Sequence, residues 1–358
     1  MRIARLRAAD FRNIEFADID FGDGNRIFFN GKNGQGKTNL LEAAGLLSAL
    51  RSFRSRDTRP LVRVGKKIAR VFVALEHERE GATELSISLF SNGTKTVETD
   101  AGVPVRRLSE FVGRFPVVVL AADDLALLRG APSVRRRWLD LTLSTVDAAY
   151  FHALQNYHRA LDSRNRLLKT PSPADAQLDA FEKILAETGA EIVARRSRNM
   201  AHISELFSNA AEKIARVSES PSLAYETSAP DANTDAWREI FRRSRAQDKL
   251  FRATQKGPHR DDFRFEIFGK PAADFASEGQ QRGLALSLGL ARLALFRERL
   301  GVEPVVLADD VLGELDSARK AGFWSAVGAE TQILATGTTP PADASAWRVF
   351  TVDSGKYF

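Results

Sequence analysis

The chain contains no cysteine, which excludes disulfides, thiolate metal sites and cysteine nucleophiles. No run of apolar residues approaches the length of a membrane-spanning helix. The first residues, Met1-Arg2-Ile3-Ala4-Arg5-Leu6-Arg7, offer no apolar stretch of signal-peptide type. Histidine is scarce, with five in 358 residues, and none pair at metal-ligand spacing. These absences lead us to expect a cytoplasmic protein without a membrane partner.

What remains is ordinary for a globular chain, with 44% hydrophobic and 27% charged residues, and long enough for two lobes. The net charge is +6, and the arginines cluster: Arg51, Arg54, Arg56 and Arg59; Arg135-Arg136-Arg137; Arg195, Arg196 and Arg198; Arg242, Arg243 and Arg245. Clustered guanidiniums suit a polyanion, because each neutralised phosphate releases counterions. Solvated helix faces paired with the 46 acidic residues are the alternative.

One segment carries specific chemistry. Gly31-Lys32-Asn33-Gly34-Gln35-Gly36-Lys37-Thr38 is a complete P-loop. Its glycines let backbone N–H groups turn toward anionic oxygens where a Cβ would clash. Lysine then reaches the β- and γ-phosphates, and the threonine hydroxyl reaches Mg²⁺. The apolar run Arg26-Ile27-Phe28-Phe29-Asn30 precedes it as a strand, and Leu40, Leu41, Ala44 and Leu47 follow at helical spacing. Strand, glycine loop and helix is the order that a phosphate site at a helix N-terminus requires.

Around this loop the first 120 residues read as strands and turns. Val71, Val73 and Leu75 alternate with Arg70, Phe72 and Ala74, and Leu85, Ile87 and Leu89 lead through Ser91-Asn92-Gly93 into a hairpin. Residues 116–120 read as a buried strand. From 123 to about 252 the pattern is helical, over 135–145, 148–168 and 174–218, broken at 170–173 and again at 228–233. After Gly257 the strand pattern Phe263, Phe265, Ile267 returns.

Pro304-Val305-Val306-Leu307-Ala308-Asp309-Asp310 is an apolar strand ending in two carboxylates, the form of a Walker B segment. Asp309 is placed to hold Mg²⁺, and Asp310 to orient or deprotonate an attacking water. Ser277-Glu278-Gly279-Gln280-Gln281-Arg282-Gly283 opens an apolar helix over 284–300. A serine there is either a plain N-cap or part of a second anion site, and the residues leave both open.

P-loop, helical stretch, serine–glycine signature, Walker B and then Gly313-Glu314-Leu315-Asp316 is an order that resembles the ABC-type ATPases. That resemblance implies ATP and Mg²⁺ as cofactors. It also implies an ATP-dependent homodimer, in which the signature of one copy completes the site of the other across an isologous interface.

Further islands narrow the match: Asp10-Phe11-Arg12-Asn13, the P-loop with Asn39-Leu40-Leu41-Glu42-Ala43, and Arg51-Ser52-Phe53-Arg54. Asp124-Leu125, Pro132-Ser133, Arg135-Arg136, Leu161, Arg164-Asn165 and Gly257-Pro258-His259-Arg260-Asp261-Asp262 continue the series, with Ala276 to Arg282 and Asp309-Asp310-Val311-Leu312. Together they resemble the RecF family of DNA-repair proteins over nearly the whole chain. The resemblance implies ATP-dependent binding of double-stranded and gapped or junction DNA, slow DNA-stimulated hydrolysis, and work with RecO and RecR in loading recombinase. It implies a nucleoid-associated protein of DNA replication, recombination, repair and the SOS response, with single-stranded DNA at the gap. The rivals are a head of the SMC or overcoming-lysogenization-defect nuclease class and a non-catalytic, nucleotide-sensing SMC-like scaffold. Glu278 departs from the family's glutamine, Ala308 from a larger apolar residue and Gly313 from serine. Thr336, Thr338 and Thr339 occupy the region where ABC transporters place a switch histidine.

The expected fold is therefore α/β (α+β), an ABC-ATPase-like nucleotide lobe formed by 1–122 with 298–358 and a mainly helical second lobe, 123–297, ending in the signature. Lys37, Asp309 and Asp310 are the expected catalytic residues. Gly31, Asn33, Gly34, Gln35, Gly36, Lys37, Thr38 and Asn39 are the expected nucleotide ligands, joined by Ser277, Gly279 and Gln280 from a second copy. Thr38 and Asp309 are the expected metal ligands. Arg51, Arg54, Arg56, Lys66 and Lys67 are the expected DNA contacts, on the face a closed dimer would present.

Overall fold

The computed structural model describes residues 1–358 apart from 56, 101, 108–110, 216–219, 230–232 and 342–343. The chain divides into two compact units. The first comprises Met1–Asp124, Ala210–Arg216 and Ala285–Phe358; the second comprises Leu125–Asn209 and Val217–Leu284.

Two sheets build the first unit. One is a six-stranded, wholly antiparallel sheet in the order Ile14–Asp20, Arg2–Phe11, Ile68–His77, Gly81–Phe90, Lys95–Thr99, Val103–Pro104. Ala69, Val71, Val73 and Leu75 are buried while Arg70 and Glu76 face water, the alternation of a sheet with one wet face. The expected hairpin turns at Ser91–Gly93, closed by Phe90 N–H to the Thr94 carbonyl at 2.9 Å.

The other sheet runs in the order Lys356–Tyr357, Arg348–Asp353, Arg26–Asn30, Ile333–Gly337, Val305–Asp309, Val117–Ala121, parallel except at its first strand. Ile27, Phe28 and Phe29 are all buried, as are Val305 to Ala308. Strands buried on both faces carry apolar runs without alternation, which is why these read from the sequence as continuous stretches. The helix Lys37–Ala49 returns from the P-loop with Leu40, Leu41, Ala44 and Leu47 wholly buried. Each such leucine contributes about 2 kcal/mol of burial.

In the second unit lie the helices Pro132–Val146 and Ala148–Leu168, most of Asp175–Ala215, and Thr234–Phe251. With them is a three-stranded antiparallel sheet of Lys270–Pro271, Asp262–Ile267 and Ser222–Glu226. The Pro/Ser break expected at 170–173 separates two helices; part of the break at 228–233 lies outside the described residues. The long helix Glu278–Leu300 begins in the second unit and continues in the first. After a first return over Ala210–Arg216, the chain re-enters the first unit for good at Ala285, earlier than the 298 expected from sequence. The reason is packing against the strand Val117–Ala121: Leu120 lies so close to Gly289 that a Cβ there would collide with it.

Candidate nucleotide site

The P-loop joins a central strand of the parallel sheet to a buried helix. Gly36 adopts φ 112°, a left-handed conformation that favours glycine. Gly31 is needed for a different reason, since a Cβ there would collide with the Val352 carbonyl oxygen. The first intrahelical bond runs from Leu40 N–H to the Gly36 carbonyl at 3.2 Å. It leaves the N–H groups of Lys37, Thr38 and Asn39 at the positive end of the helix without helical partners. Lys37 is almost fully buried, and its ammonium donates to the carbonyls of Gly31 at 2.7 Å and Lys32 at 3.1 Å.

The Walker B strand delivers Asp309 to this loop from two strands away. Thr38 donates its hydroxyl to Asp309 Oδ1 at 2.9 Å. A hydroxyl and a carboxylate converging in this way are hard oxygen donors of the kind Mg²⁺ takes beside phosphate oxygens and water. Burial pushes the Asp309 carboxyl above its ordinary value and the charge of Asp310 adds to this, while hydrogen bonds from Thr336 and Thr38 and the nearby Arg54 oppose it. Asp310 sits at φ 56°, an uncommon region for a non-glycine residue that aspartate tolerates better than most.

The loop is clasped from outside by residues with no role in the sequence-based expectations. Asn13 donates to the Gln35 carbonyl at 3.3 Å and accepts from Asn39 at 2.7 Å. From the C-terminal turn, Ser354 N–H donates to Gln35 Oε1 at 2.6 Å and Gly355 N–H to the Gln35 carbonyl at 2.8 Å. The Tyr357 hydroxyl donates to the Gly36 carbonyl at 3.0 Å. Asn13 could be suspected from the resemblance at Asp10 to Asn13. The C-terminal clasp is a long-range contact with no local signal.

Arg54 belongs to the same neighbourhood. It donates to Asn39 Oδ1 at 3.1 Å and lies 3.7 Å from the buried carboxylate of Glu42, which Arg12 grips with two hydrogen bonds. Of the other expected DNA contacts, Arg51 and Lys67 are exposed, Lys66 pairs with Asp10 at 3.3 Å, and Arg56 lies outside the described residues.

Ser277 and Gln280 form a reciprocal capping box in the second unit. Gln280 N–H donates to Ser277 Oγ at 3.3 Å, and Ser277 N–H donates to Gln280 Oε1 at 2.7 Å. Glu278 is ion-paired one turn along with Arg282 at 2.9 Å. Gln281 is buried, accepting from Arg129 and donating to the Ala276 carbonyl, which anchors the start of the helix.

Many arginines of the basic clusters are paired with acidic residues of the second unit, buried at Arg196 and exposed at Arg242 and Arg243. Arg135 forms a bidentate pair with Asp262, and Arg196 is buried against Asp140 and Asp261. Arg242 and Arg243 share Glu239, and Arg245 binds Glu182. Those arginines serve the second unit's own structure before any polyanion.

No family model matches the chain. Curated relatives do. The DNA replication and repair protein RecF of Symbiobacterium thermophilum is 36% identical over 348 residues, covering 94% of this chain and 92% of that protein. RecF of Acaryochloris marina is 33% identical, covering 99% of each. Among solved structures, the recombination mediator protein RecF-ATP of the RecFOR pathway superposes with a TM-score of 0.91 at 29% identity, covering 99% of this chain and 96% of that one. An Smc head bound to a ScpA domain matches with a TM-score of 0.55 at 17% identity, a likeness of fold alone.

Proposed function

The chain belongs to the RecF family of DNA replication and repair proteins, and on that premise we propose that it is an ATP-driven DNA-binding switch. The observation that carries the reading is the meeting of Thr38 and Asp309 at 2.9 Å, beside a P-loop whose lysine is already drawn into the loop. Structurally similar RecF chains solved as RecF-ATP and RecF-ATPrS support ATP as the nucleotide.

In this reading the N–H groups from Gly34 to Asn39 receive the phosphates, and Lys37 neutralises the β- and γ-phosphates. Thr38 and Asp309 would hold Mg²⁺, which supplies charge neutralisation at the phosphates. Asp310 orients the attacking water and accepts its proton. Ser277, Gly279 and Gln280 of a second copy close over the γ-phosphate, so ATP favours a two-fold dimer that clamps double-stranded DNA near gaps or junctions. Slow, DNA-stimulated hydrolysis then opens it, in the cytoplasm at the nucleoid, in concert with RecO and RecR. Arg51 and Lys66-Lys67 contact the duplex, while Arg54 serves the phosphate side.

The test is solution mass and phosphate release with and without gapped DNA. Asp310→Asn is expected to lower turnover by roughly 100-fold or more while the ATP-dependent dimer persists on DNA. Lys37→Arg is expected to lower turnover sharply as well. A chain that stays monomeric at saturating ATP and DNA would sink the shared-site mechanism. Dimerisation without phosphate release from the native chain would favour a nucleotide-sensing scaffold instead.

A further inference from the structure

We propose that Thr336 is a positioning residue for hydrolysis, one hydroxyl fixing both the carboxylate of Asp309 and the backbone of Asp310. The inference rests on the nucleotide reading above and adds a residue to it.

The placement follows from sheet order. The strand Ile333–Gly337 lies between the P-loop strand and the Walker B strand, with Ala335 paired to Phe28 on one side and Ala308 on the other. The next residue, Thr336, is therefore level with Asp309, at the strand ends where the P-loop begins. It is buried. Its Oγ1 donates to Asp309 Oδ1 at 2.8 Å and accepts from Asp310 N–H at 3.0 Å. A hydroxyl has one proton, and here that proton is committed to Asp309. Thr336 lies in the region where ABC transporters place a switch histidine, and the geometry directs its hydroxyl to the Asp309 carboxylate and the Asp310 amide.

Asp309 Oδ1 receives two hydroxyls, from Thr38 and from Thr336. The Thr38 hydroxyl is the one wanted at the metal. Thr336 remains as the donor that keeps Asp309 aimed when Thr38 turns away. Through the Asp310 amide it also holds the left-handed turn that directs the second carboxylate. A β-branched residue suits a strand whatever its hydroxyl does, so the test must separate hydroxyl from shape.

Thr336→Val keeps the shape and removes the hydroxyl, and Thr336→Ser keeps the hydroxyl. In the nucleotide-free protein, amide exchange at Asp310 should accelerate in the valine variant and return to the native rate in the serine variant. With ATP, loss of an outer-shell hydrogen bond should lower kcat by about 10- to 100-fold and raise the Mg²⁺ midpoint comparably, with KM for ATP little changed. Serine should restore both. A valine variant with native kcat, Mg²⁺ midpoint and Asp310 exchange overturns the proposal. So does one that loses Mg²⁺-free nucleotide binding as severely as turnover, because a general fault in the pocket then accounts for the loss. If the native chain neither binds nor hydrolyses ATP, the nucleotide reading fails, whereas the exchange measurement still reports whether Thr336 holds Asp310.

Discussion

The two units solve the problem of an interior in different ways. The first has an unbroken apolar core drawn from both sheets and the P-loop helix, from Met1 and Leu6 through Leu40 to Leu307 and Val352. The polar groups that meet at its P-loop, Lys37, Thr38 and Asp309, stand in or beside that loop and at a strand end. The second buries guanidiniums. Arg164 is enclosed with Glu182, Asp248 and Thr254, each at 2.8 Å, and Arg196 with Asp140 at 2.7 Å, the Tyr150 hydroxyl at 2.9 Å and the Pro258 carbonyl at 2.7 Å. Charges taken out of water must be paired and hydrogen-bonded, and these are. The first unit thus keeps the charges of Lys37 and Asp309 at the P-loop, while the second spends much of its own on internal order.

The largest expected effect breaks that contrast directly. Arg196→Ala strips partners from Asp140, Asp261 and Tyr150 and should cost about 3–5 kcal/mol, read from urea unfolding of the full chain. Arg243→Ala, at an exposed pair with Glu239, should cost under about 1 kcal/mol. Equal, small losses at both positions would show that the buried network is idle and the contrast between units is only one of composition.

Legibility in the sequence follows the same division. The P-loop could be read because strand, loop and helix are consecutive, and the Walker B segment because its carboxylates end an apolar run. The helix 148–168 coincides with Ala148–Leu168, since its amphipathic period is local. The ion pairs of Arg196 and Arg135 have no local signal because their partners are distant, Asp261 65 residues away for one and Asp262 127 away for the other. The Gly257 to Asp262 stretch is dense in polar groups. Its density now has a cause: Asp261 serves Arg196 and Tyr225, and Asp262 serves Arg135. Thr336 is one of three closely spaced threonines in the sequence, and its register beside Asp309 follows only from the strand order.

A medium effect sharpens the comparison through pH. In the second unit, burial pushes His259 down to about 4, with the neighbouring charges of Arg260, His158 and Arg136 adding and a bond to the Thr254 carbonyl opposing. Between its ordinary 6.5 and 4 the unfolded chain takes a proton that the folded chain refuses, so stability falls as pH falls through that window. In the first unit, burial pushes Asp124 up to about 6, against an ordinary 3.8. There the folded chain holds the extra proton, so the contribution is full below 3.8 and lost as pH rises through 6. Each swing is about 3 kcal/mol, with opposite signs. Unfolding free energies measured from pH 4 to 7 for His259→Gln and Asp124→Asn, each compared with the native chain, should give differences that slope in opposite directions. Parallel slopes would refute this assignment of the two groups.

The smallest effect concerns Ser277, where structural and proposed functional roles share one hydroxyl. As the N-cap in a capping box, Ser277→Ala should cost about 1 kcal/mol of stability, and Ser277→Asp, an equally good cap, should return it. The nucleotide reading asks more of the same oxygen, since it must meet the γ-phosphate held by a second copy. An aspartate satisfies the helix but places a second negative charge beside Glu278, where phosphate is expected. Stability and ATP-dependent dimerisation should therefore part company. Alanine loses both, while aspartate regains stability and still fails to dimerise in ATP. An aspartate variant that dimerises like the native chain would make Ser277 a cap and nothing more, and the second unit would then contribute structure without a phosphate contact from this residue.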